Sequence, residues 1–503
     1  MLSRSEQSAW LSRAPKFEDI TCSLAATARQ PGAIATETAR AVAIARKFNE
    51  AVTRDRDLEL DARVQEDPAY LPWDIVETAN RWGFYTMFIP KLFGGKGYSL
   101  FCVGPFLEEI SSACLAFANI IGVHYLGFAI LTASWNLKLL NRISREVVAG
   151  EKNNAPCLIS LAITEPEAGT DAQNIELMDR GNLLCRADKT ESGYRLNGGK
   201  IFISMGHMST WHIVNAYTDL NKPSENTVML AVKKGMPGFS LGSKENKMGQ
   251  KGCPASELVF RDCRVPDSHV CIDSETAGRF KRGRRGSNEQ ILAYIWGASR
   301  MGVGAFGCGA ARGAYEQAVA FARRHRVDGR LLINQEWCQS RLAEMYKNVS
   351  LARAIYMEAA YANGLYCLWK YLHLKPLYYL NRLLPMGLFD RVGPWLCEKS
   401  WATKLVRKLA FDGQSDAEMN RVDGLASLAK FAGTDAGVAN CHMAVELMGQ
   451  AGLRQDRRAE KMLRDAKLLQ IYEGTNQINR LNLFKRLIGQ GHPEIRMFSD
   501  PAD

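Results

Sequence analysis

The sequence contains no stretch approaching the roughly 18 uninterrupted apolar residues of a membrane-spanning helix. Its thirteen cysteines include no C-x-x-C pair and form no Cys/His cluster at zinc spacing, and its eight histidines include no H-E-x-x-H. A zinc centre and a dithiol redox centre are therefore excluded, leaving reduced thiols and no metal site. The opening segment "MLSRSEQSAWLSRAPKF" lacks the apolar centre of a secretory signal, so a cytoplasmic protein is expected. What is present is an ordinary globular composition, 47% apolar and 23% charged. With 503 residues there is enough chain for several domains and a large core. A net charge of +11 favours anionic partners, without choosing among nucleic acid, a phosphorylated ligand and a membrane surface.

The apolar spacing divides the chain into three patterned regions. Residues 36–155 read as helices, as in "LPWDIVETANRWGFYTMFI", broken by the loop "PKLFGGKGYS". Residues 156–275 alternate with period two, in "YRLNGGKIFIS", "WHIVNAYTD", "NTVMLAVKK" and "SELVFRDCRVP", which predicts an antiparallel sheet. Residues 286–490 return to long helices, interrupted by an aromatic and basic stretch at about 365–410. An extension at 1–35 and a tail at 491–503 flank them. The expected fold class is α+β: an N-terminal helical domain, a central antiparallel β-domain and a C-terminal helical bundle.

Two tempting motifs depend on their context. "GVGAFG", 302–307, satisfies the dinucleotide fingerprint G-x-G-x-x-G, but it lies in a helical pattern with no preceding strand, so tight helix packing is expected. "GRFKRGRRGS", 278–287, is a cationic connection that reads as solvated loop or as an anchor for ligand phosphates. No nucleic-acid module accompanies it, and no nucleic-acid partner is expected.

Two other stretches carry chemistry. In "LAITEPEAGTDA", 161–172, a strand leads into a turn that can offer hydroxyls and backbone N–H groups to a flat ring and to phosphate oxygens. In "IYEGTNQINR", 471–480, a lone carboxylate stands between an aromatic residue and a glycine. Together with "PKLFGGKGYS", "LNGGKIFIS", "KMGQKGCPASELVFRDCRVP" and "AVELMGQAGLRQDRRAEKMLRDAKLLQ", in this order, they resemble the acyl-CoA dehydrogenase family over roughly residues 40–490.

The resemblance implies FAD as cofactor, an acyl-CoA thioester as substrate and Glu473 as the base that removes its α-proton while a hydride passes to flavin N5, giving a trans-2-enoyl-CoA. It implies flavin contacts at Ile163, Thr164, Gly169, Thr170, Phe202, Ser204, Thr475 and Gln477. At His325, Glu446 and Gly449 the family's flavin contacts reach a neighbouring subunit, and here the pattern departs: His325 stands for an Arg, Glu446 for a Gln, and Gly449 opens G-Q-A-G in place of G-G-x-G. Thr170, Gly122, Ser299, Arg300, Tyr472 and Gly474 would line the substrate, with Gly122 and Ser299 leaving room at the tail end. Ser299 also falls where some members carry the base, and serine cannot do that work unaided. The absence of Lys and Arg from 110–137 disfavours a second carboxylate on the acyl group. An electron-transfer flavoprotein as acceptor and a homodimer or homotetramer are further implications. Alternatives on the same fold are a flavin oxidase or monooxygenase, and a non-catalytic scaffold that binds a membrane or partner.

The 365–410 region is what the resemblance does not explain. Its core, 365–408, combines eight Lys or Arg with only two acids, and prolines at 376, 385 and 394 should break it into short helices. Such helices fit either a cap on the protein's own surface or a peripheral contact at the inner face of a membrane.

Overall fold

The computed structural model describes residues 31–491, so the expected extension up to residue 30 and the tail from 492 lie outside the described residues. The N-terminal domain consists of helices α1 (Ala33–Phe48), α2 (Arg54–Glu66), α3 (Trp73–Arg81), α4 (Val103–Ala113), α5 (Leu115–Ala133) and α6 (Leu137–Lys152). Helix α5 is long and apolar enough to cross a membrane, although Asn119, Gly122 and His124 interrupt its apolar run. Its most apolar window is 83% buried, however, which makes it the central core helix of this domain.

The middle domain is a sheet of β1 (Ile159–Ala162), β2 (Arg186–Thr190), β3 (Gly193–Ser204), β4 (Trp211–Tyr217), β5 (Thr227–Lys233), β6 (Phe239–Lys244), β7 (Ala255–Pro266) and β8 (Val270–Ile272). The order is β6-β7-β3-β2-β4-β5-β8, with β1 also pairing with β4. The ladders are antiparallel except where β4 meets β1 and β2 in parallel. Those two pairings join strands distant in sequence, and alternation within one strand carries no information about its partner's direction.

After the single turn α7 (Ser274–Ala277), the C-terminal domain opens with the 40-residue α8 (Gly283–Ala322), followed by α9 (Glu336–Gly364). Four short helices follow: α10 (Trp369–Leu372), α11 (Lys375–Leu383), α12 (Met386–Cys397) and α13 (Ser400–Asp412). The bundle closes with α14 (Asp416–Met448), α15 (Arg458–Leu469) and α16 (Asn476–Leu483). A capping box of Ser415 and Glu418 starts α14. Pro376 stands at the start of α11 and Pro385 caps α12, as breakers should, whereas Pro394 lies inside α12.

The "GVGAFG" segment is the seam between α8 and α14. A Cβ on Gly307 would stand 2.4 Å from the backbone of Gly433, and one on Gly433 2.5 Å from the carbonyl of Gly304. Glycine here permits backbone-to-backbone packing and holds no nucleotide. The basic 278–287 connection is a staple: Arg285 pairs with Asp179 at 3.0 Å, Arg282 pairs with Asp416, and Phe280 stacks on Phe411.

A buried charge cluster ties the domains around the site. The Lys461 ammonium bonds Asp465 at 2.7 Å and also Asp57, while Gln250 donates to the Asp465 carbonyl at 2.8 Å and accepts from Asn119 at 2.9 Å. It joins α2, α5, the loop before β7 and α15, which leads directly to Glu473.

Candidate active site

The elements converge on a cavity of about 430 Å³ bounded by α5, the turn after β1, the end of β3, α8 and the segment after α15. The turn after β1 is positioned by a fully buried ion pair. Lys200 of β3 donates to Glu165 at 2.7 Å and to the Ile163 carbonyl at 2.8 Å, and Glu165 accepts the backbone N–H groups of Leu184 and Cys185. The Ile201 N–H adds a bond to the Thr164 carbonyl. Ile163, Thr164, Gly169 and Thr170 are thereby presented on the wall.

Opposite them, β3 breaks its register with β7 between Lys200 and Ile203, and Phe202 adopts φ +58°. A bulky residue in the left-handed region is strained, and the bulge turns its ring out of the ladder, where it is 56% exposed. Phe202 and Ser204 both line the cavity.

The segment after α15 supplies Tyr472, Glu473, Gly474 and Thr475 to the same wall. Glu473 has φ +56° and Gly474 φ +78°, so the chain makes a left-handed pair that only glycine accepts without strain at the second position. Thr475 caps α16 by accepting the Ile478 N–H. Lys430 on α14 donates to the Gly474 carbonyl and to Asn476, each at 2.7 Å. Burial, and then the nearby Arg300 guanidinium, pull its pKa down to about 7. The backbone N–H of Glu473 has no acceptor among the described residues.

The carboxylate of Glu473 is partly buried and accepts a 2.7 Å hydrogen bond from the Ser299 hydroxyl. Burial raises its pKa above the ordinary carboxylate value, while the Ser299 bond and the Arg300 and Lys430 charges pull it partly back. Among the described residues, Glu473 is the one formally charged side chain on the cavity wall. The arrangement is a base of raised proton affinity in an apolar chamber.

Twelve of the sequence-predicted residues meet here, but five do not. Arg300 lies behind the wall, bonding the Glu473 carbonyl at 3.3 Å and pairing with Asp423 at 3.1 Å, so it fixes the base's backbone and does not line the substrate cavity. His325, Glu446, Gly449 and Gln477 lie on the surface away from the cavity; His325 stacks on Phe321 and Glu446 pairs with Arg341. Two tail-end expectations are corrected. Ser299 sits beside the carboxylate, and the space left by Gly122 is filled by Phe306, whose ring would stand 2.6 Å from a Cβ there.

Sequence reasoning missed Lys430, although a lone lysine in the small-residue run "ASLAKFAGTDAG" was a visible signal. It also missed Tyr294 and Trp369. Trp369 donates its indole N–H to the Tyr294 hydroxyl at 2.5 Å, Tyr294 meets Thr132 at 3.1 Å, and all three line the cavity.

Family models for the acyl-CoA dehydrogenase N-terminal, middle and C-terminal domains match residues 36–135, 160–263, and 293–364 with 393–488. The chain belongs to the acyl-CoA dehydrogenase family. It is 27% identical over 431 residues to an acyl-CoA dehydrogenase of Bacillus subtilis, covering 85% of this chain and 93% of that one. A probable acyl-CoA dehydrogenase of Mycobacterium tuberculosis is 27% identical over 435 residues, covering 86% and 92%. The butyryl-CoA dehydrogenase structure from Megasphaera elsdenii superposes with a TM-score of 0.68 over 90% of this chain and 98% of that one; at 22% identity this is a likeness of fold. The C-terminal model skips residues 365–392, which fall within the aromatic and basic region.

This acyl-CoA dehydrogenase is an oxidoreductase of fatty acid metabolism with FAD as cofactor. The chain's own residues fit the flavin. The out-turned ring of Phe202 offers a flat apolar face, Thr164, Thr170 and Ser204 offer hydroxyls, and no atom stands within 4 Å of where a Gly169 Cβ would be.

Proposed function

We propose that Glu473 removes the α-proton of a saturated fatty acyl-CoA, giving the trans-2-enoyl-CoA. The observation that carries this reading is the Glu473 carboxylate, raised in pKa and held by Ser299, alone in an apolar chamber. Bound FAD supplies the acceptor for the hydride that leaves the β-carbon. The thioester carbonyl is polarised by the unengaged N–H of Glu473, whose left-handed backbone is held from behind by Arg300. Apolar walls exclude water, which keeps the carboxylate basic and the enolate-like charge stabilised by fixed donors. Among the described residues no cation stands on the wall to meet a second carboxylate, which favours a monocarboxylic, apolar acyl group.

Electrons pass on to an electron-transfer flavoprotein. His325, Glu446, Gly449 and Gln477, on the surface of the single chain, are assigned to contacts in a homodimer or homotetramer. The test is anaerobic mixing of the flavoprotein with a panel of acyl-CoAs. Flavin bleaching, with slow reoxidation by air and fast reoxidation by an electron-transfer flavoprotein, supports the reading; rapid reoxidation by air contradicts it in favour of an oxidase.

Ser299 sets the pH range. Its hydrogen bond favours the charged carboxylate, so Ser299→Ala raises the Glu473 pKa further. The base works deprotonated, and activity is lost as pH falls through its folded pKa. The acidic limb of kcat/KM should therefore move to higher pH in the variant; an unmoved limb contradicts the role.

Trp369 sets acyl length. Behind it lies a second cavity of about 40 Å³, which shares Phe88, Leu100 and Trp369 with the first. Trp369→Ala joins the two and should favour longer acyl chains by about tenfold in kcat/KM relative to the wild-type optimum. An unchanged chain-length profile in a folded, flavin-loaded variant contradicts this.

A further inference from the structure

The four short helices α10–α13 have two unlike faces. The inner face is fixed to the protein by specific bonds. His373 meets Ser99 at 2.8 Å, Tyr378 and Arg382 reach the buried Glu37 at 2.9 and 2.7 Å, and Arg407 donates to the carbonyls of Ser134 and Cys271 at 2.9 and 2.6 Å. These contacts over α1, the loop before α4 and the end of α5 define the orientation of the helices, and hence which side chains face outward.

The outer face carries apolar side chains at helical spacing that are exposed among the described residues. On α12 they are Leu388, Val392 and Trp395, at i, i+4 and i+7; on α13 they are Trp401, Leu405 and Leu409, at i, i+4 and i+8. Helix α11 adds Leu377, Leu380 and Leu383, the last 82% exposed. A stripe of this kind normally faces a core, and exposed apolar patches of this extent mark interaction sites.

Charge indicates what covers it. The two acids of the region are engaged by basic residues outside it, Asp390 by Arg145 at 2.5 Å and Glu398 by Lys138 at 2.6 Å. Lys375, Arg391, Lys399, Lys404 and Lys408 have no ion pair among the described residues. Lys399 lies over the Trp395 ring at 5.3 Å, its ammonium at the edge of an apolar stripe. A second copy of the chain is a poor occupant, because a two-fold contact would set the same five unpaired cations against one another. Short cationic helices with Trp and Leu stripes match an anionic bilayer interface, where apolar burial and lipid attraction act together and long cationic side chains reach the headgroups.

We propose that the outer face of α11–α13 docks the enzyme on an anionic lipid bilayer. The helices lie in the headgroup region and do not span it. This inference is independent of the assignment of Glu473.

The test uses the flavin-loaded full chain and vesicles of phosphatidylcholine with or without phosphatidylglycerol. At low salt the protein should sediment with the anionic vesicles, weakly with the neutral ones, and progressively less as salt is added. Trp395→Ser with Trp401→Ser, and separately Lys404→Glu with Lys408→Glu, should each reduce the bound fraction roughly tenfold or more. Both pairs are exposed and away from the cavity, so flavin content, thermal midpoint and turnover of a short, soluble acyl-CoA should be unchanged. Absence of sedimentation at low salt, or equal sedimentation of the variants, overturns the proposal. A change of oligomeric state in the variants without loss of lipid binding overturns it in favour of a second copy as occupant.

Discussion

Glu473→Gln should retain flavin and bind acyl-CoA yet lose dehydrogenation by about 10³-fold or more, near the upper range for removing a general base. The amide keeps the shape of the carboxylate and can still accept the Ser299 hydrogen bond seen at 2.7 Å. It cannot take a proton from carbon. Stability should move the other way. The folded state raises the pKa of this carboxyl, so folding favours its protonated form, and at neutral pH the ionised side chain opposes folding. A neutral isostere removes that cost, and the thermal midpoint should hold or rise slightly. Loss of turnover together with a lowered midpoint would indicate damage to the fold, not to the chemistry. Turnover within a few-fold of wild type would remove Glu473 from its role.

Lys200→Met should have the largest effect on the fold around the cofactor. Lys200 and Glu165 are both fully buried and bonded at 2.7 Å, and removal of one partner from such a pair costs about 3–5 kcal/mol. The turn carrying Ile163, Thr164, Gly169 and Thr170 hangs on this pair through the Ile163 carbonyl as well. The variant should therefore unfold at lower temperature and purify with a lower ratio of flavin to protein. Glu165→Gln with Lys200→Met should recover part of the stability, since the amide oxygen can still accept from Leu184 and Cys185 without a buried charge. Full flavin retention in Lys200→Met would contradict the positioning role.

What the sequence revealed was mostly local. The turn at 161–172 and the carboxylate at 473 carry residue types that their chemistry requires, and both line the cavity. The helix–sheet–helix order follows from period. Long-range packing was less legible. Gly122 looked like open space, but the ring that fills it comes from Phe306, 184 residues later in the chain. Arg300 was expected at the substrate because the resemblance places it at the family's arginine, yet its side chain turns away from the cavity toward Asp423. The contact of Ser299 with Glu473 joins two candidate base positions and depends on how α8 packs against the segment after α15. In the 365–410 region composition gave short basic helices, but only the tertiary contacts of Glu37, Ser99 and Ser134 show which faces turn outward.

The most direct test of the central claim follows one acyl-CoA through a single anaerobic turnover in wild type and Glu473→Gln, with flavin absorbance and the mass of the acyl group recorded together. Wild type should bleach its flavin as the acyl group loses two hydrogens, with both changes at the same rate, while Glu473→Gln binds the substrate and shows neither. Bleaching of the variant at the wild-type rate, or wild-type flavin left oxidised by every acyl chain tried, would contradict the account.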